Sequence, residues 1–495
     1  MRQGELQLPP PGIDGTPEKI LQFGTGVLLR GLPDYFVDKA NRQGKFNGRI
    51  IIVKSTDGGD AESFDRQDGL YTICVRGIDN GVKSEENIIS SSVSRVISAK
   101  TSWNQVMELA ASTDISIVIS NTTEVGISYL EETIDAAPPV SFPGKLLAFL
   151  YERYKNLGGK ANTGLVIIPT ELIVDNGKKL QAIVNDLAAY NKLPTTFIDW
   201  LNNENTFCSS LVDRIVPGKP SVEIKAEIQQ QFGYEDELMI MAEVYRLWAI
   251  QGDEKVREVL SFAGVDEGVV IEPDIDVYRE LKLRMLNGTH TLSCGLAVLA
   301  GFQTVKDAMM DSDMSEFIAA LMLDEIASGI PYPINPAAVS AFGKKVLDRF
   351  RNPFIEHKWI SITMQYSSKM KMRNVPVLLK YFEGRDSAPE CIALGFAAYI
   401  LFMRAVKNED GKIFGEQHGK IYLIQDDLAA RLHELWTSHG KAGIVNAVLA
   451  DQLLWGTDLS VLPGFAVTVN RYLQDLLDHG GKETLKNFEQ KKALI

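Results

Sequence analysis

The segment YRELKLRMLNGTH (278–290) sets Lys282, Asn287 and His290 at the spacing K-x4-N-x2-H. At about 100° per residue, with Lys282 at zero, His290 falls at about 80° and Asn287 at about 140°, so all three share one side of a predicted helix. Leu283, Met285, Leu292 and Leu296 fill much of the remaining circumference. Burying three polar groups without partners is costly, so they face either a cleft or a partner network. Taken singly, His290 reads as readily as a satisfied core histidine. Such a set places a proton-transfer group beside hydrogen-bonding groups that could serve a reacting oxygen, the parts of general acid–base chemistry. A lysine takes the proton only if its pKa falls well below about 10.4, and burial of the ammonium has that effect. An amide can stabilise a developing oxyanion without adding a charge.

Four further segments carry groups of interest. In ILQFGTGVLLRG (20–31) a predicted strand runs into Gly24-Thr25-Gly26, where glycines let the backbone approach a pyrophosphate and the next helix offers free N–H groups. The third glycine of GxGxxG is missing: Leu29 takes its place and Gly31 lies two residues later. The strand that would supply an acidic ribose ligand ends in Lys54-Ser55-Thr56 with Asp57 after it, which leaves NAD and NADP both open. In ELIVDNG (171–177) the pair Asn176-Gly177 reads by itself as a tight turn. Asp213-Arg214 in LVDRIVPG reads equally as a surface ion pair, and Lys369, Lys371 and Arg373 in SSKMKMR as a solvated helix face or an anion-recognising cluster.

These segments need a scaffold, and the chain supplies two predicted domains. Up to about residue 270, short β-branched runs (Lys19–Phe23, Arg49–Val53, Ile115–Ser120, Leu165–Ile168) alternate with helical patterns, as in a parallel sheet covered on both faces. Each run ends in small or polar residues, Asn121-Thr122-Thr123 and Pro169-Thr170-Glu171 among them, and ligands bind outside the carboxyl ends of such strands. From 271 to 495 long helical stretches dominate: Asp276–Leu299, Val305–Ser328 and Glu390–Val406. The expected architecture is therefore α/β: a Rossmann-type doubly wound parallel sheet followed by a mainly α-helical domain. The charged Lys482–Lys492 segment reads as a solvated helix or tail.

Composition narrows the function. The 495 residues hold 51 Lys and Arg against 64 Asp and Glu, a net charge of −13 that disfavours nucleic acid and anionic membranes as partners. The apolar run Cys391–Met403 is too short to span a bilayer, and the first residues contain no signal-like apolar stretch. The 4 cysteines are scattered, without CxxC pairs or histidines at zinc-ligand spacing. A cytoplasmic protein without disulfides or structural metal is expected, and no partner protein is implied.

Together the segments resemble the polyol-specific long-chain dehydrogenases, the mannitol dehydrogenase family. The likeness rests on ILQFGTGVLLRG, QDGLYTICVRG, ISNTTEVGI, SFPGKL, PTELIVDNG, FCSSLVDRIVPGKP, FGYEDEL, KLRMLNGTHT and FRNPFIEHK, which span nearly the whole chain in the family's order. K-x4-N-x2-H is the most family-specific element; FCSSLVDRIVPGKP with FGYEDEL points to the branch acting on sugar acids. The resemblance implies zinc-independent hydride transfer between NAD and a hexuronate-derived sugar acid. By position it makes Lys282 the general acid or base, places Asn287 and Asn176 beside the reacting oxygen, and has His290 position the substrate. Asp213 and Lys369 become substrate-binding positions, and Gly24, Thr25, Gly26, Asn121 and Thr122 border the cofactor. Where mannitol-oxidising relatives carry a glutamate three residues before the lysine, this chain has Arg279, with Glu280 beside it. Relatives acting on the epimeric uronate or on mannitol are the alternative within the family. A catalytically silent nucleotide-binding regulator is the alternative outside enzymes, and the intact Lys282, Asn287 and His290 speak against it.

Overall fold

Alternation of side chains along apolar strands builds two cores on one sheet. The structure, a computed structural model, describes residues 5–55, 61–122, 126–417 and 419–492. Six strands of its largest sheet, numbered in chain order, are β1 (Glu18–Phe23), β2 (Arg49–Lys54), β3 (Val93–Ser98), β4 (Ile117–Ser120), β5 (Val166–Pro169) and β6 (Thr206–Phe207). They lie in the order β3-β2-β1-β4-β5-β6, every neighbouring pair parallel, which is the dinucleotide-binding order with its reversal between β1 and β4. Ile20, Ile50, Ile52, Ile117 and Ile119 point into one core, while Leu21, Ile51, Val53, Val118 and Ile167 point into the other, as a period of two requires. Burial on both faces is why these runs read as continuously apolar.

Helix Pro33–Arg42 covers the first face with Phe36, Val37 and Ala40. Helices Phe142–Leu157, Asn176–Tyr190 and Thr195–Glu204 cover the second. Two smaller sheets that the sequence reading did not anticipate complete this part. One sets the antiparallel pair Tyr71–Asp79 and Val82–Ser90 between Leu6–Gln7 and Ile240–Glu243; the other joins Ser210–Asp213, Leu247–Gln251 and Val269–Glu272.

Asn176-Gly177 is not the expected tight turn: Asp175, with φ 52°, precedes a helix that Asn176 begins. A Cβ on Gly177 would stand 2.4 Å from the Cys208 carbonyl carbon and 2.5 Å from Ser209 N, so the glycine lets this helix rest on backbone. Gly177→Ala is expected to cost about 1–3 kcal/mol as overpacking. A lowered urea midpoint with an unchanged denaturant slope would show it, and an unchanged midpoint would refute the contact.

The chain divides into two compact units, Met1–Ile275 and Asp276–Ile495. In the second, the stretch expected as one helix is α-helical over Asp276–Leu281, π-helical over Lys282–Gly288 and α-helical again over Thr289–Leu299. The next breaks at Asp311, whose carboxylate caps Ser312–Ala320 by accepting from Met314 N, and ends in a second π-helical run, Leu321–Ile326. A third, Met370–Asn374, follows Lys369. The apolar helix Glu390–Phe402 lies against Phe465–Lys492, which absorbs the charged terminal segment. A three-stranded antiparallel sheet, Lys407–Glu409, Lys412–Gln417 and Lys420–Leu423, interrupts the helices. Among the described residues no helix is long and apolar enough to cross a membrane.

Candidate active site

In the first unit the loops after β1 and β4 meet at the point where strand order reverses. Gly24 has φ +128°, and a Cβ there would stand 2.9 Å from Asn121 O, so both conformation and space call for glycine. The Asn121 N–H donates to Phe23 O at 3.1 Å, which fixes the two loops together. Gly26 caps the short helix Val27–Gly31 without a side-chain hydrogen bond, and a Cβ on it would meet nothing within 4 Å. Open space above a glycine beside uncapped N–H groups fits a pyrophosphate. The missing third glycine is explained: Leu29 is fully buried, and Gly31 provides the close approach, since its Cβ would lie 2.9 Å from Val216 Cγ1.

Glu171 organises the far side of this crevice. Its buried carboxylate accepts from Thr122 N at 2.9 Å, Thr122 Oγ1 at 3.0 Å and Ser120 Oγ at 3.1 Å. The Asn121 amide donates to Thr170 O and Oγ1 at 3.1 and 3.0 Å. Asn121 and Thr122 thus hold the rim in shape through their side chains. Glu171 stood in plain view within PTELIVDNG, but nothing in its spacing marked it as the residue joining the loops after β4 and β5. Thr56, Asp57 and Thr123 lie outside the described residues.

Two expectations for this unit need correction. Asn176 is fully buried: Nδ2 donates to Pro169 O, Glu171 O and Ser210 O at 2.9–3.1 Å, and Oδ1 accepts from Gly177 N and Ser210 N. No amide hydrogen is left for a reacting oxygen, so Asn176 ties the β5 loop to the strand at Ser210. Asp213 and Arg214 are both buried rather than a surface pair. Arg214 donates to Glu243 O and Gly31 O and lies 4.5 Å from the Tyr35 ring centroid, and burial pulls its pKa down to about 10.

In the second unit the π-winding changes how the catalytic candidates align. A π-helix is wound more loosely than an α-helix, so Lys282 and Asn287, which fall within one π-helical run, lie at a smaller angle to each other than the α-helical projection gives. Cross-links hold the unusual winding. Arg284 Nη1 donates to Met372 O and Arg373 O at 2.7 and 2.9 Å, and Asn374 Nδ2 donates to Gly288 O at 3.1 Å. The Asn287 carbonyl accepts from Thr291 Oγ1 at 2.7 Å and Arg373 Nη1 at 3.4 Å. Two π-helical runs therefore brace each other through Arg284, Asn374 and Arg373. Glu280 is held by Arg284 at 2.9 Å, which occupies the acid nearest the missing glutamate position. Lys282 itself is partly exposed, not buried as expected, and so is Asn287.

His290 is buried, stacked at 4.1 Å on Phe350, with the rings of His357 and Trp359 edge-on at 5.0 and 5.9 Å. Burial, then His357, Arg349 and Arg373, hold its pKa well below the usual 6.5, so the imidazole is neutral. Its Nε2 has no hydrogen-bond partner among the described residues, an exception that calls for a ligand or water. His357 is a contributor the sequence reading passed over, although FRNPFIEHK contained it.

The SSKMKMR cluster divides by exposure. Lys371 is exposed, whereas Lys369 and Arg373 are partly buried, so the reading of the whole cluster as a solvated helix face does not hold. Lys369 Nζ donates to Ile362 O at 3.1 Å, and burial followed by the Arg373 charge lowers its pKa. Among the described residues no group of three or more His, Cys, Asp or Glu is placed to hold a metal ion. Exhaustive chelation is accordingly expected to leave turnover unchanged; activity lost to chelator and restored by stoichiometric zinc would contradict this.

Comparison with known proteins agrees with both halves. The description "Mannitol dehydrogenase Rossmann domain" matches residues 18–262 and "Mannitol dehydrogenase C-terminal domain" residues 274–477. Altronate oxidoreductase of Halalkalibacterium halodurans is 38% identical over 479 residues, 95% of this chain and 93% of its own length. That of Bacillus subtilis is 38% identical over 477 residues, 95% of each chain. Among solved structures, Pseudomonas fluorescens mannitol 2-dehydrogenase, a ternary complex with NAD and D-mannitol, aligns over 98% of this chain and 97% of its own at TM-score 0.67 and 23% identity. A substrate-free D-sorbitol dehydrogenase covers 97% of each chain at TM-score 0.73 and 20% identity. A sheet in the order 3-2-1-4-5-6, a glycine loop at its reversal and a K-x4-N-x2-H segment that opens in a π-helical run thus occur in a chain whose two halves match the two mannitol dehydrogenase domains, and the protein belongs to the mannitol dehydrogenase family.

Proposed function

We propose that the protein is an NAD-dependent oxidoreductase that interconverts D-tagaturonate and D-altronate. The reading rests on relatives at 37–38% identity that carry the name altronate oxidoreductase and on a related fold solved with NAD. The observation that carries it is the single π-helical run that contains both Lys282 and Asn287, followed by a neutral His290 whose Nε2 lacks a partner among the described residues.

When bound, NADH supplies the hydride. The Lys282 ammonium gives its proton to the carbonyl oxygen as the carbon accepts the hydride, and in the oxidative direction neutral lysine takes that proton back. The Asn287 amide steadies the oxygen while its charge is changing. His290 Nε2 accepts or donates one hydrogen bond to a substrate hydroxyl and stays neutral. Lys369 attracts the carboxylate. The Gly24–Gly26 loop takes the pyrophosphate, and Asp213 remains a proposed substrate contact. Four buried free thiols suit a reducing cytoplasm.

Loss of NADH absorbance on adding tagaturonate to the purified protein tests the reading. Binding of NADH without consumption, on any uronate or ketose, would instead favour a silent nucleotide-binding regulator.

A further inference from the structure

Resting on the sugar-acid reading above, we propose that Arg373 is a specificity-determining residue that grips the substrate carboxylate together with Lys369. Three observations converge on it. First, among the described residues the guanidinium is anchored by one nitrogen: Nη1 donates to Thr291 Oγ1 at 3.0 Å and to Asn287 O at 3.4 Å, while the buried Nε has no hydrogen-bond partner there. Nε and Nη2 form one edge of a planar fork, the edge that meets the two oxygens of a carboxylate in parallel.

Second, Arg373 forms no ion pair among the described residues, and neither does Lys369 four positions earlier. Partly buried cations ordinarily have a counter-ion. Here burial pulls the Arg373 pKa down, and the Arg373 charge bears on Lys369. The other charged or titratable groups bearing on the pair are Cys294, Asp426, His290 and His357. Of these, Asp426 is the sole carboxylate, and it accepts from Ser367 N and Leu428 N. Two like charges that repel each other, opposed by Asp426 but ion-paired with no carboxylate among the described residues, are stabilised by a bound anion.

Third, the anchor side of Arg373 is the catalytic helix. Thr291 Oγ1 accepts from Arg373 and itself donates to Asn287 O, so the guanidinium is registered against the residue that steadies the reacting oxygen. An anion on the free edge is thereby held at a fixed offset from Asn287. This gives the carboxylate a role in placement as well as affinity.

The test compares Arg373→Met and Thr291→Val, with circular dichroism to confirm folding, on tagaturonate and on fructose, which lacks the carboxylate. Arg373→Met removes the donor to Asn287 O and is therefore expected to lower kcat on both substrates, but to raise KM for tagaturonate by about 30-fold or more and KM for fructose far less. Thr291→Val, which frees the anchor and keeps the charge, is expected to lower kcat more than it raises KM. An equal rise in KM on both substrates, or no rise on tagaturonate, overturns the proposal. If Arg373→Met does not fold, Arg373→Lys decides: the charge without the fork should still lose about tenfold on tagaturonate alone, and full retention overturns the proposal. Wild-type protein inert toward every uronate would refute the sugar-acid reading itself, a different outcome from a wild type that reduces tagaturonate and an Arg373 variant that does so equally well.

Discussion

Replacing Lys282 with alanine is expected to lower turnover by roughly 10² to 10⁴ and to leave NADH affinity nearly intact. Lys282 lies in the second unit, at the first position of the π-helical run, whereas the glycine loop proposed to take the nucleotide lies in the first. Removing a proton-transfer group therefore acts on kcat and not on cofactor binding. The measurements are NADH binding by fluorescence and steady-state reduction of tagaturonate. The ionisation of the lysine should also vanish from the pH profile of the variant. Equal losses of cofactor affinity and turnover would recast Lys282 as a structural residue of the π-segment, and persistence of the ionisation would assign it to another group.

The second large effect distinguishes two lysines two residues apart. Lys369→Met is expected to weaken reduction of the uronate by about 2 kcal/mol, the low end for truncating one partner of a buried charge pair, because Lys369 is only partly buried. Lys371→Met, at an exposed position, should stay within about 0.5 kcal/mol. The readout is kcat/KM on tagaturonate for each variant. Equally mild losses would remove Lys369 from carboxylate recognition and move the mannitol-type reading ahead.

The scaffold was legible where one physical rule decides local structure. Strands such as Arg49–Lys54 announce themselves because burial on both faces demands unbroken β-branched residues, and Gly24 because a positive φ against Asn121 O excludes a side chain. The small sheets were missed since strands such as Val82–Ser90 carry polar residues, VKSEENIIS, and gain their place from pairing across the chain. The π-winding was invisible for a related reason. Residues 282–288 have no local signature for it; the bracing comes from Arg284, Arg373 and Asn374, and two of those three lie more than eighty positions away. Asn176 shows the limit of positional inference: the right residue type after the right strand, yet every amide hydrogen is spent on backbone. Spacing alone did not separate Lys369 from Lys371; the family resemblance singled out Lys369, and the partial burial of Lys369 beside the exposed Lys371 is what the fold adds.

The most direct test of the central claim is the ratio of kcat/KM for tagaturonate to that for fructuronate and for fructose, measured with NADH and repeated with NADPH. The account predicts that tagaturonate with NADH is the best pair and that fructose, without a carboxylate for Lys369, trails by at least about 30-fold. Fructose reduced as well as tagaturonate would contradict it.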